Sequence, residues 1–381
     1  MENDSTFWMV FISTAFWAGI VRNATPLVIA SIGETITERA GVVNLSLDGS
    51  IVLTAMTGFV VGLITQNACA DGGALTAVCG GSDFLPLTFA VIASMLVGGL
   101  VAFIIAAGDI ELRQDQVAIG FVLTLLCRDI AQFLGAGYTR VPGPKIPNAP
   151  IPGLVDIPVV GPIFFDHDWT IYVSYLLVFG TWFWLFRTGP GMAHRAVGER
   201  PEAAFSRGTR VNWQRYFYTV LGGMLVGLAG AAYSLKLKPG WATPPNMLGD
   251  GWIALAIVIF GGWHPFRVVL GAYLFAFLRS LVSALQGVVF TVPGWILAIY
   301  NVPGLGWLRT IFGVSEAGTY EAPVTLLNAL PWVLMIVTLV LVSSGAIERL
   351  LRVLPRPAQR QMRAFLRSDP PAALGTRFEA N

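Results

Sequence analysis

Charged residues are scarce in this chain of 381 amino acids. Lysine, arginine, aspartate and glutamate together make up 12% of it, whereas 55% of the residues are hydrophobic. A soluble domain carries roughly 25% charged residues, so the composition excludes an ordinary soluble protein and predicts one that lies in a bilayer. The formal net charge is only +2, and without an overall basic excess we expect no binding to nucleic acid.

Lysine and histidine are scarcer still, with three of each. None of the lysines follows a glycine, so the chain lacks the Gly-Lys-Ser/Thr loop that holds the phosphates of ATP. The histidines fall in three separate loops, and no His-Glu-x-x-His, Cys-x-x-Cys or Gly-x-Ser-x-Gly pattern occurs. These absences exclude an ATPase and predict a protein without catalytic residues, a metal site or a cofactor.

Cysteine is also rare. Cys69 and Cys79 share one glycine-rich loop, and Cys127 lies in an apolar run. A disulfide between the first two requires that their loop face an oxidising compartment. A pair of free loop thiols is the alternative, and both interpretations stay open on sequence grounds.

Apolar runs are abundant, and many approach the roughly 20 residues that a membrane helix needs. They predict an all-α polytopic membrane protein with about nine transmembrane segments. The candidates are residues 7–32 (interrupted by Arg22 and Pro26), 43–65, 85–107, 116–135, 170–187, 215–235, 251–262, 266–290 and 324–343. Segment 251–262 is short and runs into Gly261-Gly262 and Pro265, so we expect one broken or re-entrant helix there.

Positive charge is distributed unevenly over the connections. Residues 187–215 contain six arginines and residues 344–381 contain seven, whereas the loop 66–84 contains neither arginine nor lysine. Because positive connections stay in the cytoplasm, nine crossings predict an external N-terminus and a cytoplasmic C-terminus. We expect a transmembrane domain, residues 1–343, and then a basic cytoplasmic tail that is solvated or lies on membrane lipid.

The arginine-rich connection 187–215 contains signals for a short helix. Pro201 suits a first helical turn, Glu202 would lie beside the positive end of the helix dipole, and Gly208 can supply a left-handed stop. These residues predict a two-turn helix in the cytoplasm. It would either simply join two spans or contact a cytosolic partner.

Four residues are candidates for a substrate path. Asn44 and Asp48 are four positions apart, hence on one helical face at the start of an apolar span, where unpaired polar groups are costly. They would either line the path or cap helix ends. Trp252, at the start of the predicted broken segment, and Trp263, directly after it, could stack on a cargo.

Small residues recur in the span after the arginine-rich connection. Gly222, Gly223 and Gly227 precede the run Gly230-Ala231-Ala232. Such spacing permits close packing of membrane helices, so we expect this span to be tightly packed.

Three blocks of the sequence resemble a known family. They are residues 26–34 with 38–44 and 48–49, residues 196–208 with 222–232, and residues 254–265 with 271–272. These blocks are similar to bacterial ABC-importer permeases of the branched-chain amino acid, ribose and nucleoside type. The resemblance extends over residues 24–56 and 190–280, and it is closest to the shorter permease of nucleoside or simple-sugar importers.

The resemblance implies a permease subunit, not an enzyme, in the bacterial plasma membrane. Its implied partners are a second permease subunit, separate ATP-binding subunits and an extracytoplasmic substrate-binding protein. The cargo would be a nucleoside or a simple sugar, with amino acids left open, and transport would proceed by alternating access. The residues implied to couple transport to the ATPase are Glu199, Pro201, Glu202, Ala203, Ala204 and Gly208.

A self-contained secondary transporter or channel is the rival interpretation. In that case charged residues within the membrane, among them Asp48, Arg128 and Asp129, would carry ions or protons.

Overall fold

The computed structural model describes residues 13–70, 73, 76–79, 83–286, 289–291, 319–321, 324–343, 355 and 370–378. The first six residues of the predicted span 7–32 and most of the predicted tail 344–381 lie outside this described part.

Helices dominate the described residues. They are α1 (Thr14–Arg39), α2 (Leu47–Cys69), α3 (Thr76–Cys79), α4 (Phe84–Ile110), α5 (Gln116–Gly135), α6 (Val160–Phe164), α7 (Trp169–Arg187), α8 (Gly189–Glu199), α9 (Pro201–Ser206), α10 (Val211–Ala232), α11 (Asp250–Gly261), α12 (Pro265–Leu285) and α13 (Val324–Ser343). A 3₁₀ turn, Ala136–Tyr138, follows α5, and a π-helical turn, Tyr233–Leu237, extends α10. Two three-residue strands, β1 (Val289–Thr291) and β2 (Thr319–Glu321), pair antiparallel.

Seven of the described helices are long and apolar enough to cross a membrane: α1, α2, α4, α5, α7, α10 and α12. The 12-residue α11 and the 20-residue α13 match the two other candidates in the sequence. The predicted all-α polytopic class is therefore confirmed, and the count of about nine crossings remains an estimate.

Helix α1 is continuous past Arg22 and Pro26, which interrupt only the apolar run of the sequence. Proline removes one backbone hydrogen bond, but packed neighbours and hydroxyl groups in a membrane helix can compensate. Here the Thr25 hydroxyl donates to the Val21 carbonyl at 2.9 Å. The helix also extends seven residues further than predicted, to Arg39.

Helix α11 is the predicted broken segment. Gly249 (φ +89°) precedes it, and Gly262 (φ +59°) and Trp263 (φ +54°) follow it. Left-handed backbone of this kind stops a helix. The chain therefore returns from the end of α10 through an irregular stretch, residues 238–249, and then the short α11.

Helix α10 is the centre of the bundle and packs on α1, α2 and α4. An added Cβ on Gly222 would lie 2.5 Å from the Gly33 carbonyl, and one on Gly227 would lie 2.2 Å from the Ser94 carbonyl. Only glycine allows the backbones to approach this closely. The tight packing predicted from the small residues is confirmed.

The bundle has two ends. At the first, named the Pro-rich end after its loop 139–168, the Lys236 ammonium donates to the Ile146 carbonyl at 3.1 Å. At the second, named the arginine-rich end after residues 187–215, the Arg39 guanidinium lies 3.5 Å from the Glu199 carboxylate.

The described chain begins and finishes at opposite ends of this bundle. Arg22, in the first half of α1, lines a cavity together with Asp168 of the Pro-rich end. Ala373, near the C-terminus, donates its N–H to the Gly198 carbonyl of the arginine-rich end at 2.9 Å.

Cys69 and Cys79 are joined by a disulfide, which resolves the alternative that the sequence left open. The bond closes the connection between α2 and the short α3. Cys127 is a buried free thiol on α5.

Candidate functional site

Helix α9 has the form that the sequence predicted. Pro201 occupies its first turn, and Gly208 beyond its end has φ +87°. The Gly208 N–H donates to the Phe205 carbonyl at 2.8 Å, and the Thr209 N–H donates to the Ala204 carbonyl at 3.1 Å. This pair of bonds is the Schellman arrangement, in which a left-handed glycine satisfies the last carbonyls of a helix.

One face of α9 is open. Glu202, Ala203 and Phe205 are exposed, whereas Pro201 and Ala204 are buried against the protein. The Phe205 side chain is 44% exposed, which is a large apolar group to leave in solvent. A short, fixed helix with an acidic residue and an aromatic ring on its outer face is suited to contact another protein.

Helix α8 is fixed to the end of α1 by several contacts, and α9 packs on α8. The Arg39 guanidinium pairs with Glu199 and also donates to the Trp263 carbonyl at 3.2 Å. An added Cβ on Gly198 would lie 2.2 Å from the Arg39 carbonyl, so only glycine fits there. A movement of α9 would therefore reach α1 through α8.

His194 of α8 is a further anchor. Its imidazole is fully buried between the rings of Trp184 and Tyr218, and Nε2 donates to the Ile36 carbonyl at 3.0 Å. Burial lowers the pKa of His194 from 6.5 to about 3, and the nearby Arg39 charge adds to this effect. The folded protein thus holds a neutral imidazole.

We expect this histidine to make the folded protein less stable in mild acid. Below pH 6.5 the unfolded chain takes up a proton that the folded chain refuses until about pH 3. The free energy of unfolding is therefore not reduced by this histidine above pH 6.5. Below that pH it should fall by ~1.4 kcal/mol per pH unit, or about 2 kcal/mol by pH 5. Unfolding temperatures measured between pH 5 and 7.5 should show a smaller slope for His194→Phe than for the wild type. Equal slopes would contradict the buried neutral histidine.

The four residues predicted for a substrate path are not brought together in one cavity. Asn44 is buried, and its N–H donates to Glu34 Oε1 at 3.0 Å. Trp263 is buried at the arginine-rich end and donates its indole N–H to Glu38. Trp252 is partly buried and packs against the main core.

Asp48 caps a helix, but not the one to which it belongs. Its Oδ1 accepts the N–H groups of Gly249 at 2.8 Å and Gly251 at 3.1 Å, at the start of α11. A carboxylate in this position satisfies backbone donors that a helix leaves unpaired. Asp48 therefore fixes the broken helix against the first turn of α2.

A polar cavity of about 240 Å³ lies between α1, α10, α11, α12 and α13. Its polar lining residues are Asn23, Tyr233, Lys238, Asn246, Asp250, Arg279, Ser283 and Asn328, and Trp332 closes one side. The large share of amides and hydroxyls suits a polar cargo that presents several hydrogen-bonding groups.

Two of the three charged side chains in this cavity, Asp250 and Arg279, form an ion pair, and Lys238 is the third. Arg279 donates to both carboxylate oxygens of Asp250, with 2.7 Å between Nη1 and Oδ2. Asp250 is only 2% exposed, so the pair is largely withdrawn from solvent. A bidentate pair of this kind cancels its own charge, and Lys238 adds a positive charge to the wall.

A second cavity of about 250 Å³ lies at the Pro-rich end. It shares Asn23 and Leu237 with the first, and it contains the pair Asp168 and Lys236, whose charged atoms lie 3.6 Å apart. The two cavities are therefore neighbours.

Sequence reasoning did not single out Asp250 or Asn246. A usable signal was present in Arg279, an arginine within an apolar helix, because such a residue needs a buried partner. The first residue of a broken helix, Asp250, was the natural candidate. Among the described residues, no group of histidine, cysteine, aspartate and glutamate could hold a metal ion.

Comparison with known proteins agrees with this architecture. Residues 16–342 match the model of the family described as branched-chain amino acid transport system / permease component. No solved structure matches the chain.

Three curated relatives are similar over most of their length. TsgC13 of Haloferax volcanii, named as a candidate glucose ABC transporter permease, is 38% identical over 70% of this chain and 78% of its own. The guanosine ABC transporter permease protein NupQ of Bacillus subtilis is 35% identical over 68% and 78%. The nucleoside ABC transporter permease protein NupC of Lactococcus lactis is 30% identical over 75% and 85%. With the family match over residues 16–342, these relatives show that the chain belongs to this family of ABC transporter permease subunits.

Proposed function

We propose that the chain forms the translocation path of an ATP-driven importer of nucleosides or simple sugars, and that it works by alternating access. The observation that carries this proposal is α9, an exposed helix that packs on α8, whose Glu199 pairs with Arg39 at the end of α1. A subunit without its own phosphate-binding loop cannot hydrolyse ATP, so it needs an exposed surface on which an ATPase subunit can bind and move it.

The arginine-rich end would face the cytoplasm of a bacterial cell, with the N-terminus outside. The six arginines of residues 187–215 support this orientation. The Cys69–Cys79 disulfide also supports this orientation. It lies at the Pro-rich end, because the second half of α2, which leads to Cys69, packs on Pro144 of the Pro-rich loop. Disulfides persist in oxidising compartments, such as the periplasm.

The cargo is proposed from the relatives and from the cavity together. Two relatives are named for guanosine or nucleosides and one for glucose. Both cargo types are rich in hydroxyls, which suits the amide, hydroxyl and charged groups of the cavity wall. Trp332 offers a ring face for a base or a sugar ring.

Asn44, Asp48, Trp252 and Trp263 remain our proposed contributors to the same path. Asp48 would act through α11, because it holds the start of this helix, and Asp250 lies there. The role of the other three would be to fix the walls or contact the cargo.

The proposed partners are a second permease, ATP-binding subunits and an extracytoplasmic binding protein. Helix α5 supports the first of these, since Arg128 and Asp129 are exposed on it beside a row of exposed apolar side chains. Charges on a lipid-facing surface are costly. We therefore expect another protein subunit to cover this face.

The coupling route would run from α9 to the cavity. Glu199 connects α8 to Arg39 at the end of α1, and α1 carries Asn23 in the cavity wall. Helix α10 begins five residues after α9 and leads to Tyr233 in the same wall. Closure of the ATPase would thus move two of the elements that enclose the cargo.

Two substitutions, one in α9 and one just beyond its end, test this coupling. Glu202→Lys reverses the charge of the open face, and Gly208→Trp forces a bulky residue into φ +87°, which only glycine adopts easily. We expect each to lower the uptake rate by about tenfold or more, equivalent to ~1.4 kcal/mol in the rate-limiting barrier. ATP hydrolysis by the partner subunits should persist. Uptake of radiolabelled guanosine and glucose is measured alongside phosphate release.

A matched control for the glycine is Gly153→Trp. Gly153 also has positive φ (+82°) and open space around it, but it lies in the Pro-rich loop. Its replacement should leave coupling intact, and Glu202→Gln should be milder than Glu202→Lys. Normal uptake by Gly208→Trp would contradict the proposed role of α9 in coupling.

A further inference from the structure

Residues 370–378, near the C-terminus, are docked on the arginine-rich end. The Ala373 N–H donates to the Gly198 carbonyl at 2.9 Å, and the Gly375 N–H donates to the Gly41 carbonyl at 3.0 Å. The Ala372 N–H donates to the Glu199 carboxylate at 3.3 Å. The segment thereby bonds to α8 and to the turn after α1 at the same time.

Side chains seat the segment as well. Pro371 and Ala373 are buried, and Pro371 is the nearest side chain to Gly198. Phe378 packs on the cluster of Val197, Ala204 and Val211, and its ring centroid lies 5.6 Å from that of Phe205. The segment therefore covers part of α9 itself.

A buried arginine forms the third anchor. Arg215, in the first turns of α10, is 1% exposed, and its Nη1 donates to the Thr376 carbonyl at 3.0 Å. A guanidinium withdrawn from water needs acceptors. The C-terminal segment supplies the acceptor for Nη1, whereas Nε and Nη2 are buried without a partner, so its departure would leave one more donor of Arg215 unmet.

The segment has the internal order expected of a specific ligand. The Leu374 N–H donates to the Pro371 carbonyl at 3.0 Å, the Thr376 N–H donates to the Ala373 carbonyl at 3.1 Å, and Gly375 has φ +71°. These bonds form two consecutive turns, and a preformed turn loses less entropy on docking than an extended chain does.

We propose that residues 371–378 are an intramolecular latch that ties α9 to the ends of α1 and α10. The inference rests on the proposed role of α9 as the contact for the ATPase. While the latch is seated, a displacement of α9 is carried into both spans, because Gly41, Gly198, Phe205 and Arg215 are bridged by one segment. When it is released, α9 moves with less effect on the cavity.

Two adjacent alanines give a matched test in the full-length chain. Ala373 is 6% exposed, whereas Ala372 is exposed and uses only its backbone N–H in the docking. Ala373→Leu overfills a closed site and should release the latch. Ala372→Leu makes the same chemical change in solvent and should leave it seated.

Amide hydrogen exchange in the protein in lipid nanodiscs reports the latch directly. In the wild type and in Ala372→Leu, the amides of residues 373 and 375 should be protected. In Ala373→Leu their protection should fall by about tenfold or more, which corresponds to ~1.4 kcal/mol of local opening free energy. Phe378→Ala should act in the same direction, and Phe378→Tyr should restore protection. Unprotected amides in the wild type would overturn the docking.

The second measurement is the amount of guanosine or glucose taken up per ATP hydrolysed by the complete transporter. Ala373→Leu and Phe378→Ala should lower this ratio several-fold, whereas Ala372→Leu should match the wild type. If the latch were released but the cargo taken up per ATP stayed the same, the segment would have no role in coupling and the proposal would be rejected. If the wild type showed no ATP-driven uptake at all, the proposed function would fail, while the exchange data would still report whether the latch is seated.

Discussion

Replacement of Arg279 by methionine should destabilise the protein by about 3–5 kcal/mol and abolish uptake of cargo. The Asp250 carboxylate is almost fully buried, and Arg279 donates to both of its oxygens. Methionine keeps an unbranched side chain but removes every donor, so the variant would leave a buried charge without compensation. The unfolding temperature of the purified protein and the uptake of labelled cargo measure the two effects.

The double variant Asp250→Asn, Arg279→Met separates stability from transport. With no charge left to compensate, most of the lost stability should return, because a buried pair is worth far less than the cost of breaking it. Uptake should nevertheless remain low, since the polar wall of the cavity has changed. A stable Arg279→Met protein would contradict the buried pair, and normal uptake by the double variant would contradict this cavity as the cargo path.

The features predicted well from the sequence are those set by neighbours along the chain. Apolar runs gave the spans, because a bilayer requires about 20 apolar residues in a row. Pro201 and Gly208 predicted where α9 begins and ends. Proline suits a first helical turn because it lacks an N–H, and glycine suits a helix end because it readily adopts left-handed backbone; both are properties of a single residue. The short α11 followed in the same way from its glycines.

The features that escaped prediction depend on contacts between distant residues. Asp48 could cap its own helix or line a path, and only the fold brings it to Gly249, 201 positions away. Glu34 and Glu38 are similar, since their partners Asn44 and Trp263 belong to other elements. A sequence shows that a buried polar residue needs a partner, but the choice of partner is made by tertiary packing.

The C-terminal tail illustrates the same limit. Its composition, with seven arginines in residues 344–381, suggested a solvated or lipid-bound segment. Residues 371–378 instead dock through backbone N–H groups, which every residue except proline possesses and which leave no mark on composition.

The second large effect is expected at the glycines that bring α10 close to α4. An added Cβ on Gly227 would lie 2.2 Å from the Ser94 carbonyl and 2.7 Å from the Met95 Cα. Both are backbone atoms of a packed helix, so relief requires the two helices to separate rather than one side chain to turn. We therefore expect Gly227→Val to cost about 3 kcal/mol or more.

Gly180→Val is the matched control for this substitution. Gly180 lies within α7, and a Cβ there meets nothing within 4 Å. The same change of side chain in the same kind of helix should therefore be accepted, with a normal yield of monodisperse protein after extraction from the membrane. Gly227→Val should give little folded protein, whereas Gly227→Ala, which adds a single methyl group, should be intermediate. Equal yields for the two valine variants would contradict the close approach of α10 and α4, and with it the tight core through which a movement of α9 is proposed to reach the cavity.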